Sequence, residues 1–478
     1  MAARTQIFCA SGPSAVVTMV AAAEAGRLPD AERRVLLVCD DSPVPEAAPA
    51  WDEVPGFGRL RARFDAVLSW NETVRPFHPA AWTPRVEDVP LLERHVRRLW
   101  GLGDDRVELV LGPPDVPPAL AVARVFTGAP LHVCAGGPAD YGPTRGKLDP
   151  LIGTRVRQVL HLDLVPGLTP LLLDEFGVPA RAVPADAYRA VAGEVASAVA
   201  GVPEGAALVV GESLAALGAG AEGVRDGEDA LHGAMLRAAA GRGHRRAVFV
   251  PHPAAGAGPG GAPRAEAERL GVDLTVLDSP VPAELLLPSR PALVVGCSSA
   301  ALFTASALYG LPVARVGTDR RLARLTPYDH PHRVALVLAE AVLPGVGSEV
   351  GTRVPGAGAG DASAGGKAPT GGERGGGGVP SAGERADGDG LVPARDELGD
   401  LLAALSFTMR PRVHPALRGV AERYLGARAR DRRWFPRGRL TALALPGGVP
   451  RGLAFLPRTR AARRVVRRVR AVRKAVRG

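Results

Sequence analysis

Two short stretches in the middle of the chain decide its fold class: Phe249-Val250-Pro251-His252-Pro253 and Val295-Gly296-Cys297-Ser298-Ser299-Ala300. Each closes a short, valine-rich apolar run, which is typical of parallel strands that are buried on both faces. Ligands of open α/β sheets bind at the carboxyl ends of such strands. A histidine and two serines at those ends therefore predict a phosphate site.

The rest of the chain alternates apolar strand patterns with helical patterns. In the first part we predict strands at 6–10, 34–39, 67–70, 107–111 and 130–134, with helices at 16–24, 90–100 and 118–126 between them. A second set of alternating elements begins at Ala207 and ends near Val316. This alternation predicts an α/β fold with two Rossmann-like, doubly wound domains that face each other across a cleft. The predicted divisions are 1–188 and 189–344 for the two domains, 345–390 for a linker, 391–457 for a helical return segment and 458–478 for a tail.

Length and composition agree with two hydrophobic cores, since the chain has 478 residues of which 46% are hydrophobic. The cysteines at 9, 39, 134 and 297 form no CxxC pair, and the N-terminus lacks an apolar signal segment behind basic residues. No apolar run reaches the roughly 18 residues of a membrane span. We therefore expect a cytoplasmic protein with reduced, structural thiols.

Two segments differ in composition from the predicted domains. Residues 345–390 are mainly Gly, Ala, Ser and Pro with scattered charges, which predicts a disordered, Gly-rich insert. From Arg458 onward the chain carries ten cations and no acid, which equals the net charge of +10. Valines at 465, 469, 472 and 476 share one helical face, so the tail is predicted to be a basic amphipathic helix.

Such a helix can bind an anionic membrane surface, here the inner face of the plasma membrane, with about 1 kcal/mol contributed by each cation near the surface. A solvated helix and nonspecific attraction to nucleic acid are the alternatives. The tail has no interleaved aromatic residues for base stacking, so specific nucleic-acid binding is not expected.

Ser298 and Ser299 precede a segment of good helical composition, 300–308. Hydroxyls at a helix N-terminus, where backbone N–H groups are unpaired, are suited to binding an anion. The alternative is an ordinary serine N-cap.

His252, held between two prolines, is a candidate to bind a phosphate or to protonate it as it leaves, because an imidazole pKa of about 6.5 suits a general acid. Its alternative is a plain loop histidine.

Three residues of the first domain are further candidates. Asp163 interrupts an apolar run before Pro166-Gly167, where it either deprotonates an acceptor hydroxyl or caps the turn. Tyr141 and Arg145 lie in one loop and offer a phenol and a guanidinium to an anionic sugar, although a structural turn is equally compatible with the sequence.

Taken together, these segments resemble bacterial sialyltransferases, specifically the alpha-2,8-polysialyltransferase family with its actinobacterial members. The resemblance covers roughly residues 4 to 340. It rests on an ordered set of segments: Ile7-Phe8-Cys9-Ala10-Ser11, Ala21-Ala22-Ala23-Glu24-Ala25-Gly26, Val35-Leu36-Leu37-Val38 leading to Pro45-Glu46, Gly211-Glu212, His252-Pro253, Pro282-Ala283-Glu284 and Ser298-Ser299.

The resemblance implies a GT-B fold whose N-terminal domain binds a glycan acceptor and whose C-terminal domain binds CMP-sialic acid. It implies that His252 is the general acid or a phosphate ligand and that Glu284 contacts the ribose. The remaining donor contacts would be Pro253, Ser298, Ser299 and Gly211. The family supplies its base from two acids followed by Gly, whereas this chain has Leu162-Asp163-Leu164-Val165-Pro166-Gly167 at the matching place, so Asp163 is the predicted base.

The predicted reaction is an inverting transfer of sialic acid, or a related nonulosonic acid, from CMP to an acceptor hydroxyl, with no metal or other cofactor. One alternative is another GT-B transferase that uses a CDP-linked or other nucleotide donor in cell-wall polymer synthesis. A second alternative is a non-catalytic protein that binds a nucleotide or a polymer.

Overall fold

The computed structural model describes residues 2–47, 50–199, 201–213, 224–252, 261–277, 281–346 and 395–449. Three predictions fall outside these residues: the linker beyond 346, the basic tail 458–478 and the donor contact of Pro253. Among the described helices, none is both long enough and apolar enough to cross a lipid bilayer.

The first sheet has seven parallel strands within the described residues, in the order β3-β2-β1-β4-β5-β6-β7. The central strands are buried on both faces, as their continuous runs of Val, Leu and Ile predict. The strands are β1 (Arg4–Ala10), β2 (Arg33–Val38), β3 (Ala66–Ser69), β4 (Arg106–Leu111), β5 (Leu131–Ala135), β6 (Val156–Leu162) and β7 (Ala180–Val183).

Helices cover both faces of this sheet. They are α1 (Pro13–Glu24), α2 (Phe57–Arg61), α3 (Trp70–Val74), α4 (Val89–Leu99), α5 (Ala119–Val125), α6 (Pro150–Gly153) and α7 (Ala185–Ala196). Helix α1 is almost wholly buried, because it packs on the sheet and against α7. The predicted boundary at 188/189 falls inside α7, which also packs on the second domain through the 3-10 helix Ala283–Ser289.

The second sheet has five parallel strands in the order β10-β9-β8-β11-β12, again within the described residues. They are β8 (Ala207–Val210), β9 (Arg246–Val250), β10 (Asp273–Val276), β11 (Leu293–Gly296) and β12 (Val313–Arg315). The helices of this domain are α8 (Val224–Gly241), α9 (Gly261–Leu270), α10 (Ala300–Ala307), α11 (Thr318–Arg324) and α12 (His332–Val342). The strand order reverses between β8 and β11, which makes the gap between their carboxyl ends the topological switch point.

The C-terminal helices α13 (Arg395–Met409), α14 (Arg418–Ala427) and α15 (Arg437–Ala442) form a segment that contacts both domains. The Tyr328 hydroxyl lies 2.8 Å from Thr408 Oγ1, which joins α13 to the second domain. The approach of His414 Nε2 to 3.9 Å from Glu175 Oε2 places the loop after α13 against the first domain. The sequence alone left open which domain the return segment would contact.

The two domains meet at the carboxyl ends of their strands. Ser14 at the start of α1 donates to Glu284 Oε2 over 3.4 Å, and the loop around Gly142 packs on Val334 of α12. The predicted fold class is therefore confirmed: an α/β chain with two Rossmann-like, doubly wound domains facing a cleft, as in GT-B folds.

We expect Gly142→Ala to loosen the contact between the domains. A Cβ atom at Gly142 would lie 2.6 Å from Cγ2 of Val334, a fully buried and β-branched side chain that has little freedom to move. Such overpacking costs about 1–3 kcal/mol. Urea unfolding followed by fluorescence should show the loss. Gly146→Ala, where no atom lies within 4 Å of the added Cβ, is the control. A double variant with Val334→Ala should recover part of the loss, and equal midpoints for all variants would contradict the expectation.

Candidate functional site

A buried ion pair lies at the switch point of the second sheet. Glu212 follows β8, and its Oε2 accepts a hydrogen bond from Nη1 of Arg321 in α11 at 2.7 Å. Its other oxygen, Oε1, accepts from the backbone N–H of Ser298, just after β11, at 2.9 Å. Both side chains of the pair are buried. One carboxylate thus connects the two strand ends between which a doubly wound sheet binds its ligand.

Helix α8 also positions Glu212, through a contact with its backbone. The Glu212 backbone N–H donates to Nε2 of His232 in α8 over 3.0 Å, and the His232 ring packs edge-on against Phe249 with ring centroids 5.0 Å apart. The same Nε2 lies 3.2 Å from the Glu212 carbonyl oxygen; burial lowers the pKa of His232, whereas the contact with the Glu212 backbone opposes that shift. His232 therefore fixes the backbone from which the Glu212 side chain extends.

The two predicted serines have different environments. Ser299 is the N-cap of α10, with its Oγ accepting from the backbone N–H of Ala301 at 3.2 Å, which is the ordinary alternative considered from the sequence. Ser298 is buried and takes part in the Glu212 contact through its backbone. The contacts of both serines with a donor phosphate stay predictions.

The predicted residues His252 and Gly211 lie beside this ion pair. His252 follows β9 and is half-buried. Burial lowers its pKa; the Glu212 carboxylate opposes the shift, whereas the Arg321 guanidinium adds to it. A Cβ at Gly211 would lie 2.8 Å from the Val250 carbonyl oxygen and 3.1 Å from the backbone nitrogen of His252, so the glycine allows the ends of β8 and β9 to approach each other. The donor contact of Gly211 stays a prediction.

Two further histidines lie beside each other, and one of them, His332, is affected by the charges of the same ion pair. His330 and His332 precede and begin α12, with ring centroids 5.2 Å apart. Burial lowers the pKa of His332 to about 4, and His330 adds to the shift, as do the guanidinium groups of Arg321 and Arg145, while Glu212 opposes it. His332 is therefore within electrostatic reach of both the ion pair of the second domain and Arg145 of the first.

Arg145 reaches this cluster from the first domain. Its Nη2 donates to Asp140 Oδ1 over 2.6 Å, and its backbone N–H donates to Asp115 Oδ2 over 2.5 Å. Arg145 also lowers the pKa of His330 and of His332, so its charge acts across the domain boundary. It thus lies near the boundary between the domains, and its acceptor contact stays a prediction.

Tyr141 and Asp163 lie at the carboxyl edge of the first sheet in bonded positions. The buried Tyr141 hydroxyl donates to the Leu162 carbonyl at 2.8 Å and accepts from Leu164 N–H at 3.0 Å. Asp163 Oδ1 accepts from Gly167 N–H at 2.9 Å. Tyr141 thus has the structural role weighed as its alternative, and Asp163 caps its turn. The acceptor contact of Tyr141 and the base role of half-buried Asp163 stay predictions.

Glu284 lies where the second domain meets the start of α1, in the 3-10 helix Ala283–Ser289. It is half-buried beneath the start of α1, bonded to Ser14, and burial raises its pKa. The contact of Glu284 with a ribose stays a prediction. In the described part of the chain, no group of three His, Cys, Asp or Glu side chains is placed to share a metal ion.

The sequence patterns assigned no role to Arg321, His330 or His332, and they included Glu212 only as the neighbour of Gly211. Glu212 had a usable signal, because it follows a buried strand just as His252 and Ser298 do. The repeated His-Pro pattern in His330-Pro331-His332 was a second signal. Arg321 had none, since Arg320 and Arg324 share its short helix.

No protein-family model and no curated protein matches this sequence. Among solved structures, the chain is similar to TcCGT1 in complex with UDP (13% identity, 89% of this chain and 94% of that one, TM-score 0.41). It is also similar to a sialyltransferase from Photobacterium damsela (11%, 70% and 78%, TM-score 0.35) and to UDP-N-acetylglucosamine 2-epimerase from Rickettsia bellii (9%, 66% and 79%, TM-score 0.37). At these identities and TM-scores, the similarities assign neither a family nor a substrate.

We expect Arg321→Met to destabilise the second domain by about 3–5 kcal/mol, because it leaves the buried Glu212 carboxylate without its partner. The double variant with Glu212→Gln should be less damaged than Arg321→Met alone, since no unpaired charge is then buried. The matched control is the exposed pair Arg418–Glu422, 2.8 Å apart, where the same substitutions should change stability by under about 1 kcal/mol. Urea unfolding measures all of them, and additive effects at the buried pair would contradict this account.

We also expect the protein to lose stability as the pH falls from about 6.5 to 4. The folded pKa of His332 is about 4, below its ordinary value of 6.5, so in this window the unfolded chain binds a proton that the folded chain does not. The slope from one such group is at most about 1.4 kcal/mol per pH unit, and the partial exposure of the ring reduces it. His332→Gln should flatten the curve of unfolding free energy against pH, whereas His95→Gln on the exposed face of α4 should not. Parallel curves for wild type and His332→Gln would refute the assignment.

Proposed function

We propose that this protein is a glycosyltransferase that moves sialic acid, or a related nonulosonic acid, from a CMP-activated donor to a glycan acceptor hydroxyl with inversion. The observation that carries the proposal is the Glu212–Arg321 pair, which holds the Ser298 backbone across the switch point next to His252. This paired group fixes the strand ends at which a doubly wound domain binds a nucleotide phosphate.

His252 is the proposed general acid or phosphate ligand. In the ligand-free protein, burial lowers its pKa and favours the neutral ring. A phosphate bound beside it would shift the balance back toward the protonated ring, because a nearby negative charge stabilises the imidazolium. Binding of the donor would thus bring a proton to the group that must donate one as CMP leaves.

The leaving phosphate is the group that the second domain is proposed to stabilise. Negative charge accumulates on it as the bond to the sugar breaks, and donors fixed before the reaction stabilise such charge without reorganisation. In this proposal Ser298, Ser299, Gly211 and Pro253 surround the CMP phosphate, Glu284 contacts its ribose, and the reaction requires no metal.

Asp163 is the proposed base, and Tyr141 and Arg145 are the proposed acceptor contacts. Asp163 lies directly after β6, at the carboxyl edge of the first sheet, and one of its oxygens accepts a hydrogen bond from Gly167 N–H. This capping contact favours the alternative of a non-catalytic protein that binds a nucleotide or polymer. A transferase with a CDP-linked or other nucleotide donor would use the same phosphate site.

The CMP-sialic acid donor rests on the resemblance of the ordered segments, and the basic tail is proposed to hold the enzyme at an anionic membrane surface from the cytoplasmic side. Specific recognition of nucleic acid forms no part of the proposal. These assignments concern partners that the fold alone does not distinguish.

The test is release of CMP from CMP-sialic acid by the purified full chain, with and without a sialylated oligosaccharide acceptor. We expect acceptor-dependent release that His252→Ala lowers about a hundredfold or more, as for loss of a general acid. His244→Ala is the control, since His244 is a partly exposed histidine that precedes β9, at the end of the strand opposite to His252. Tight CMP binding without release would favour the non-catalytic alternative, and release from a CDP-linked donor alone would favour the other transferase.

A further inference from the structure

We propose that His332 and His330 of the second domain, together with Arg145 of the first, form a subsite for the carboxylate of an acidic sugar. The inference deepens the proposed function, on which the identity of the sugar rests. None of the three residues belongs to the phosphate site built on Glu212, although His332 adjoins it.

An unsatisfied nitrogen of His332 points to a ligand. His332 Nδ1 is buried and has no hydrogen-bond partner among the residues that the structure describes. Leaving a buried polar atom unpaired costs about 1–3 kcal/mol, so such an atom at a cleft is expected to meet a ligand. An imidazole nitrogen that carries its proton is a donor suited to a carboxylate oxygen.

The unused N–H donors of Arg145 indicate that this ligand is an anion. The guanidinium carries five N–H groups, and the bond from Nη2 to Asp140 uses one of them. The Asp115 carboxylate oxygen lies 3.9 Å from Nη1, beyond hydrogen-bond distance. Arg145 therefore keeps N–H donors for an anion, while its charge is paired with the carboxylates of Asp140 and Asp115.

The two sides of the subsite are held rigidly. Arg333, the residue after His332, is buried and donates through Nε to the Tyr328 carbonyl at 2.7 Å and through Nη2 to the Leu325 carbonyl at 3.1 Å. The loop that carries Arg145 packs on α12 through Gly142 and Val334. The histidines and Arg145 are thus fixed relative to each other when the domains are in contact, which favours recognition of a small planar anion.

The carboxylate could belong to the donor sugar or to the acceptor, and calorimetric titrations distinguish the two. The acceptor probe is a short α-linked sialic acid oligomer compared with its neutral methyl ester, added to protein saturated with CMP. The donor probe is a non-transferable CMP-linked acid compared with its methyl ester. We expect one of the two acids to bind about tenfold more tightly than its ester, since it alone offers the charged carboxylate to Arg145.

His332→Gln should reduce that preference to about twofold or less, while leaving CMP affinity unchanged, and His330→Gln should reduce it in part, because each removes one donor from the carboxylate. His95→Gln is the matched control and should keep the full preference. Unchanged CMP affinity shows that the variants are folded. The proposal is overturned if acid and ester bind alike to the wild type in both titrations, if neither acid binds, or if the preference survives in His332→Gln.

These outcomes are separable from those of the proposed transfer. A preference that depends on His332 in a protein that releases no CMP would retain the subsite and refute the transferase. Release of CMP with equal binding of acids and esters would support the transferase and refute the subsite.

Discussion

The architecture of the cleft depends on one carboxylate. Glu212 lies at the end of β8 and makes contacts with α11 through Arg321, with the loop after β11 through Ser298 N–H, and with α8 through its own backbone. A buried charge is tolerated only when it is paired and hydrogen-bonded on its remaining lone pairs. Both oxygens of Glu212 are hydrogen-bonded, so this residue joins the end of β8 to α8, to α11 and to the loop after β11.

The same carboxylate sets the electrostatics on both sides of it. The Glu212 carboxylate raises the pKa of both His252 and His332, and the Arg321 guanidinium lowers both. The ion pair therefore presents little net charge to the cleft, and the protonation of the two imidazoles responds to whatever ligand approaches. An anion bound beside these imidazoles favours their protonated forms.

Most of the fold could be predicted from the sequence, because buried parallel strands have a recognisable pattern of short apolar runs. The strands predicted at 6–10, 34–39 and 107–111 agree with β1, β2 and β4 to within two residues. Strand β7 was missed, since it lies at the edge of its sheet and is half-exposed, with an arginine in its middle. A run of four residues without continuous burial does not have the pattern of a central strand.

The site could be predicted only where a polar residue closely follows a buried strand, as His252 and Ser298 do. Arg321 could not, because three arginines share one short helix and only tertiary packing decides which of them is buried. For Tyr141 and Asp163 the sequence left both alternatives open, since a hydroxyl or carboxylate that binds a neighbouring backbone group has the same local sequence as one that binds a ligand.

The contacts of the C-terminal helices with both domains have a mechanical consequence. The chain crosses between the domains at α7, and the segment from α13 onward bridges them again through Thr408 and His414. Two connections at different places make a closed ring, whereas a single linker would leave a free hinge. Any opening of the cleft must therefore slide or detach the C-terminal helices, so changes far from the cleft are able to alter how quickly it admits and releases its ligands.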